Sequence, residues 1–216
     1  MNEAPPRRAE KPLSIVFVCT GNRFRSPLAA AYLHRLCPGA NLRLSTCGTA
    51  AVARESRPPL PEAAEVAASC AIDLSVHRSR SMHDAQLGDA DLVIGFERSH
   101  VSTAVLEGGA IREKTFTLHE LIASLRTVED EERPSGPDSI RRLVARADAA
   151  RARRPTSGFE EVPDPMGRSR RFYERTAREL WRLSIELSSL LCPETDLAAW
   201  ALPKPRLRRS FVLVRR

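Results

Sequence analysis

The sequence predicts an α/β protein, one domain built on a four-stranded parallel sheet flanked by helices. Three observations support this. Short apolar runs alternate with helix-like stretches along the chain, the order that produces a parallel sheet. The run Ala90–Gly95, ADLVIG, is compact and apolar, as in a strand covered on both faces. The best helix of the sequence, Ser169–Leu191, places Phe172, Ala177, Leu180, Leu183, Ile185, Leu187 and Leu190 along one broad side.

Residues 1–12 are rich in proline and charge and are expected to be a disordered tail. The domain is expected over 13–192, with a basic tail at 193–216. Ser14–Val18 is the first strand. Ser26–Leu36 is the first helix, with Ser26 placed to cap it and Pro27 in its first turn. Asn41–Thr46 alternates as a second strand, followed by a loop bearing Pro and Arg. Glu62–Cys70 reads as a helix and Ile72–Arg80 as a connection. After the third strand, Ala90–Gly95, comes a helix at Arg98–Leu106, ended by Gly108 and Gly109. Thr115–Thr117 is a short fourth strand and Leu118–Leu125 a helix. Ser139–Arg153 reads as a polar helix between two loops. The last helix stops at Pro193.

Composition bounds the function classes. Of 216 residues, 42% are hydrophobic and 28% charged, which fits a globular domain with a sizeable core. No apolar run approaches the roughly 20 residues a membrane helix needs. The first residues carry charge without an apolar segment behind it, so a secretory signal is not expected and the cytoplasm is the expected location. The five cysteines, Cys19, Cys37, Cys47, Cys70 and Cys192, are odd in number and irregularly spaced. They suggest neither a disulfide framework nor a metal site, and no cofactor is expected. The net charge of +7 comes almost wholly from arginine. No interleaved aromatics accompany it, so no nucleic-acid partner is expected. The tail PKPRLRRSFVLVRR could make weak contact with acidic membrane or protein, or lie on its own domain. The oligomeric state is open.

Chemistry concentrates in SIVFVCTGNRFRSPLAAA, residues 14–31. A strand ends in Cys19, a polar loop follows, and a helix opens after Arg25. In this layout backbone N–H groups and a helix N-terminus converge on an anion. Thr20, Gly21, Asn22, Arg23, Phe24, Arg25 and Ser26 would line it. The converging dipoles and Arg25 favour the thiolate of Cys19, which can attack phosphorus. Arg25 offers a planar fork for two phosphate oxygens, which lysine cannot imitate. The Cys-x5-Arg spacing alone is weak, since Cys37 and Arg43 repeat it in CPGANLR. That copy has Pro after the cysteine, no strand before it and no Ser after the arginine. Much later in the chain, Asp164 precedes Pro165; an Asp-Pro pair is a common turn, and also a carboxyl able to serve as general acid.

CTGNRFRSP resembles the phosphate-binding loop of the low-molecular-weight protein tyrosine phosphatase family. VPDPMG, residues 162–167, looks like that family's acid loop in a bacterial form. AIDLSVHRSR, ADLVIGFERSH and FTLHEL are similar to bacterial members. The resemblance spans Ser14–Leu191. It implies a four-stranded parallel sheet with helices on both sides and a two-step cysteinyl-phosphate mechanism without metal. It implies Cys19 as nucleophile, Arg25 as phosphate clamp and Asp164 as acid, then base. Ser26 would stabilise the sulfur, and Asn22 would shape the loop, held by His77. A phosphorylated protein is the implied substrate, phosphotyrosine first. The chain departs from the family in three places. Phe24 stands where many relatives have a second cysteine, so a protective loop disulfide is ruled out. Arg23 and Phe24 would wall or crowd the mouth. No aromatic follows Asp164 to stack on a phosphotyrosine ring. Protein arginine phosphatases and arsenate reductases that use a small thiol share the scaffold. Arg23 would repel a phosphoarginine guanidinium, which ranks that substrate lower. A phosphate-sensing module with a blocked mouth is the non-enzyme alternative.

Overall fold

β1 (Leu13–Cys19) is central to the sheet. It pairs in parallel with β2 (Leu42–Gly48) on one side and with β3 (Leu92–Gly95) on the other. β4 (Thr115–Thr117) pairs with β3, giving the order β2-β1-β3-β4, all parallel. The computed structural model describes residues 10–128, 134, 136–151 and 161–193. The helices are α1 (Arg25–Leu36), α2 (Pro61–Ser69), α3 (Arg98–Leu106), α4 (Leu118–Leu125), α5 (Pro137–Arg151) and α6 (Arg170–Leu191). Each expected strand and helix is present, with ends shifted by one or two residues, as is normal where ends fray.

Period-2 alternation sorts β1 between two cores. Ile15, Phe17 and Cys19 face the larger one, built with α1, α2, α4, α5 and α6. Val16 and Val18 face a smaller one with Cys47, Met82, Leu87, Val93 and Ala104. Two aromatic contacts mark how α6 lies along α1. Phe24 meets Tyr173 at 5.1 Å between ring centroids, and Tyr32 meets Trp181 at 5.0 Å. Both pairs differ by the same number of residues, so the two helices run side by side in one direction.

Residues 10–12, expected to belong to a disordered tail, are fastened to the domain. Asn41 donates to the Glu10 carbonyl, and Arg141 donates to the carbonyls of Lys11 and Pro12. Residues 1–9 and 194–216, including the basic segment at the C-terminal end, lie outside the described residues. Among the described residues no helix is long and apolar enough to cross a membrane.

The strand order positions the site. In an open parallel sheet, ligands bind beyond the carboxyl ends of the strands, where the strand order reverses. Here that reversal falls between β1 and β3. The segments that leave these strands, 20–24 and 96–97, therefore emerge side by side.

Candidate active site

Cys19 closes β1 and is almost fully buried. Its sulfur accepts from the Asn22 backbone N–H at 3.3 Å and lies 3.1 Å from Ser26 Oγ. The loop thus curls around the sulfur. Asn22 makes the curl with a φ of 53°, the left-handed region that Asn tolerates better than most residues. Both ends of its side chain are engaged. Nδ2 donates to Ser26 Oγ at 2.8 Å, and Oδ1 accepts from the Arg80 N–H at 2.9 Å. Ser26 was expected to cap α1, but the helix begins at Arg25 with Phe24 at the cap position and no side-chain cap. Its hydroxyl serves the sulfur and Asn22 instead.

His77 does hold Asn22, through the main chain. Its Nε2 donates to the Asn22 carbonyl at 2.7 Å. Burial lowers its pKa, against the pull of that hydrogen bond, and the neighbouring Arg78 lowers it further. Gly48, at the end of β2, sits directly beneath the loop. A Cβ there would fall 2.7 Å from both the Thr20 carbonyl and Ala53 Cβ, and 3.0 Å from Asn22 N. Only glycine lets the loop settle this close to the sheet. The Thr49 and Ala50 N–H groups then bind the Cys19 and Thr20 carbonyls, both at 2.9 Å.

Arg25 is only 2% exposed, yet it carries a full set of partners. Nη1 donates to Glu97 Oε1 at 2.5 Å and to the Val162 carbonyl at 3.0 Å. Nη2 donates to Thr20 Oγ1 at 2.9 Å and to Asp164 Oδ2 at 2.6 Å. The carboxylate expected to act as acid, 139 positions along the chain, is therefore in contact with the expected phosphate clamp. The Val162 N–H donates to the Phe96 carbonyl at 3.0 Å and anchors the acid loop to the end of β3. Asp164 keeps its turn role as well, because Oδ1 accepts from the Met166 N–H.

Sequence reasoning missed two residues here, Glu97 and His100. Glu97 is the N-cap of α3 and His100 stands three residues on, where a Glu or Gln would complete a capping box. Nδ1 of His100 accepts from the Phe96 and Glu97 N–H groups at 3.3 and 3.1 Å. The ring proton therefore sits on Nε2, which donates to Thr20 Oγ1 at 3.0 Å. Burial, then the positive charge of Arg25, push the His100 pKa down to about 3, against the pull of Asp164. Thr20 Oγ1 accepts from both Arg25 and His100, which leaves its own proton free to be donated. The spacing Glu-x-x-His directly after a strand was the available signal.

One expectation about the mouth needs correction. Phe24 does not wall it: the ring is buried in the main core against Tyr173. The start of a helix that must cover the sheet turns this position inward. Arg23 remains at the rim, where Nε donates to the Pro58 carbonyl at 2.7 Å. The decoy at Cys37 is a helix end. Its thiol is free, and a hydrogen bond to the Cys192 thiol together with burial raises its pKa. Cys47 pairs with Val18 in the sheet register and lies on the face opposite Cys19; burial pushes its thiol up to about 12.

A parallel sheet whose inner strand ends in a buried cysteine, with the next loop folded around the sulfur and a buried arginine opening the following helix, is the arrangement of a phosphoric monoester hydrolase. The family model for low molecular weight phosphotyrosine protein phosphatase matches residues 14–135, and the chain belongs to that family. It is 26% identical over 179 residues to a protein-arginine-phosphatase of Bacillus subtilis (strain 168), covering 83% of this chain and 97% of that protein. It is 36% identical over 81 residues to the probable low molecular weight protein-tyrosine-phosphatase EpsP of Ralstonia solanacearum, covering 38% of this chain and 53% of that one. Among solved structures, a YwlE mutant from Bacillus subtilis superposes with a TM-score of 0.61 at 26% identity, over 83% of this chain and 98% of that one. The low molecular weight protein tyrosine phosphatase from T. tengcongensis gives 0.57 at 27% identity, over 81% and 97%.

Proposed function

We propose that this chain hydrolyses phosphomonoesters on proteins through a cysteinyl-phosphate intermediate, with phosphotyrosine as the first substrate. The observation that carries the reading is the contact between Arg25, which opens the helix after the Cys19 loop, and Asp164. In the first step the Cys19 thiolate attacks phosphorus, the P–O bond to the leaving group breaks, and Asp164 gives that oxygen its proton. Arg25 and the loop N–H groups take the charge spread over the three equatorial oxygens. In the second step Asp164 takes a proton from water, whose oxygen displaces the sulfur. Ser26 Oγ, beside the sulfur, steadies the departing thiolate. Phosphate and Asp164 want the same guanidinium edge, so substrate entry releases the carboxyl toward the leaving group. A catalytic thiol needs a reducing compartment, which is the reason to place the activity in the cytoplasm.

The purified protein should hydrolyse p-nitrophenyl phosphate without added metal, and Cys19→Ser should abolish turnover. Retained vanadate binding without any wild-type turnover would sink the reading in favour of a phosphate-sensing module. Phosphoarginine is the second substrate reading, favoured by similarity along 97% of a protein-arginine-phosphatase. Arg23 at the rim disfavours that guanidinium. Exposed Met166, in place of an aromatic, provides little stacking for a phosphotyrosine ring. Rates on phosphotyrosine, phosphoarginine and phosphoserine versions of one peptide decide between the substrates.

A further inference from the structure

The outward face of α6 carries Arg171, Arg175 and Arg178, all exposed. The core residues Tyr173, Thr176, Ala177 and Leu180 lie on the opposite side. With Ser169 and Phe172 these arginines line an open groove of about 340 Å³. Other exposed arginines of this helix are neutralised. Arg170 pairs with Glu65 and Glu174, and Arg182 with Glu179 and Glu186. Among the described residues, Arg171, Arg175 and Arg178 have no carboxylate partner. The Arg175 guanidinium lies 4.6 Å from the centre of the Phe172 ring, and that of Arg168 5.7 Å from it. This stacking holds Arg175 on the groove while leaving its charge unspent, with Arg168 beside the same ring.

We propose that this groove is a docking site for an acidic segment of the phosphoprotein substrate, a proposal that rests on the phosphatase reading. The first residue lining the groove, Ser169, follows Asp164 by only five positions, which ties the groove to the acid loop along the chain. Arg171 to Arg178 spans ~10 Å of helix axis. About three residues of extended chain cover that length, with alternate side chains facing the same way. Two or three acidic residues at alternate positions therefore match three arginines. A duplex nucleic acid carries charge along its whole length and needs a longer basic surface. Here Glu174 and Glu179 border the stripe, and the Arg182 pairs end it.

The test compares kcat/KM on phosphotyrosyl peptides of equal length, with Glu or Gln at alternate positions, in a series that varies the distance from the phosphotyrosine. At low salt the best Glu peptide should be preferred about tenfold over its Gln twin, as expected for several partly screened ion pairs. The preference should fade in 0.5 M salt. R171E combined with R175E and R178E should erase or invert it. The variant should leave p-nitrophenyl phosphate turnover and the thermal melt unchanged, since these side chains are exposed and touch neither Cys19 nor Arg25. Equal rates on both series, or a preference that survives the triple variant, would overturn the docking site. So would salt-sensitive binding to DNA or anionic vesicles without any peptide preference. Turnover of p-nitrophenyl phosphate and of the Gln peptides reports the phosphatase reading separately. If that turnover is absent, fluorescence anisotropy of the same labelled peptides reads the Glu-over-Gln ratio directly.

Discussion

Replacing His100 with Asn should flatten the pH dependence of stability on the acid side. The folded protein holds His100 neutral, its pKa lowered from 6.5 to about 3, chiefly by burial at 2% exposure. Protonation would remove the acceptor of the Phe96 and Glu97 N–H groups and place a cation beside Arg25. The unfolded chain has no such constraint and takes up the proton near pH 6.5. Between 6.5 and 3 the unfolded state binds more protons, so stability falls as pH falls through that window. At pH 5 the difference is 1.5 units below the unfolded value, worth about 2 kcal/mol at 1.36 kcal/mol per unit. Glu97, 3.7 Å from Nε2, would favour the protonated ring, so this is an upper figure. Asn keeps an acceptor for the two backbone donors but loses the bond to Thr20. That loss costs about 1 kcal/mol at every pH. Urea unfolding at pH 7 and pH 5 should therefore show the wild type losing about 2 kcal/mol more than the variant. Carboxylates common to both proteins cancel in the comparison. Identical slopes, or an NMR titration of His100 near 6.5 in the folded protein, would refute the assignment of a buried neutral imidazole.

Three further outcomes follow from the site and its supports. Asp164→Ala should slow an alkyl phosphate by about 10²–10⁴ and p-nitrophenyl phosphate much less, because a good leaving group needs no proton; equal losses would remove Asp164 from the acid role. Phe24→Ala should destabilise the fold by about 3–5 kcal/mol, as for other buried aromatics. A melt unchanged within error, with altered substrate entry, would return Phe24 to the mouth. Gly48→Ala should depress turnover far more than substrate-free stability suggests, since its Cβ would push on the Thr20 carbonyl and Asn22 N. Wild-type kcat/KM in that variant would show that the loop tolerates lifting.

The sheet was legible because its strands are short apolar runs with punctuated ends, and Cys19 and Arg25 stood out as candidates because their residue types and flanks are chemically demanding; Asp164, in a common Asp-Pro turn, stood out only through its likeness to a known acid loop. What stayed hidden depended on direction or proximity. Phe24 lies in a phosphate-type loop by sequence, but its ring faces inward because α1 starts one residue later and must cover the sheet. Ser26 has the composition of a cap, yet the helix begins before it. Glu97 and His100 look like an ordinary polar helix start. They acquire roles only because β3 lies beside β1, a neighbour relation that strand order creates and local sequence does not state. Gly48 is one of ten glycines, and nothing in its flanks shows that a loop from another strand rests on it.

The grip of Asp164 on Arg25 also bears on how a catalytic cycle ends. In the proposed cycle, the tethered carboxylate would wait beside the guanidinium that holds the product, returning by a small local movement rather than by diffusion. Inorganic phosphate would therefore compete with an internal rival for the Nη2 end of the guanidinium. The Arg25 guanidinium is held between the Asp164 and Glu97 carboxylates instead of presenting an open positive well. Such a site should discharge its product readily and resist being clogged by the anions of its surroundings. Removing the Asp164 carboxylate would then tighten phosphate inhibition even as it slows the chemistry.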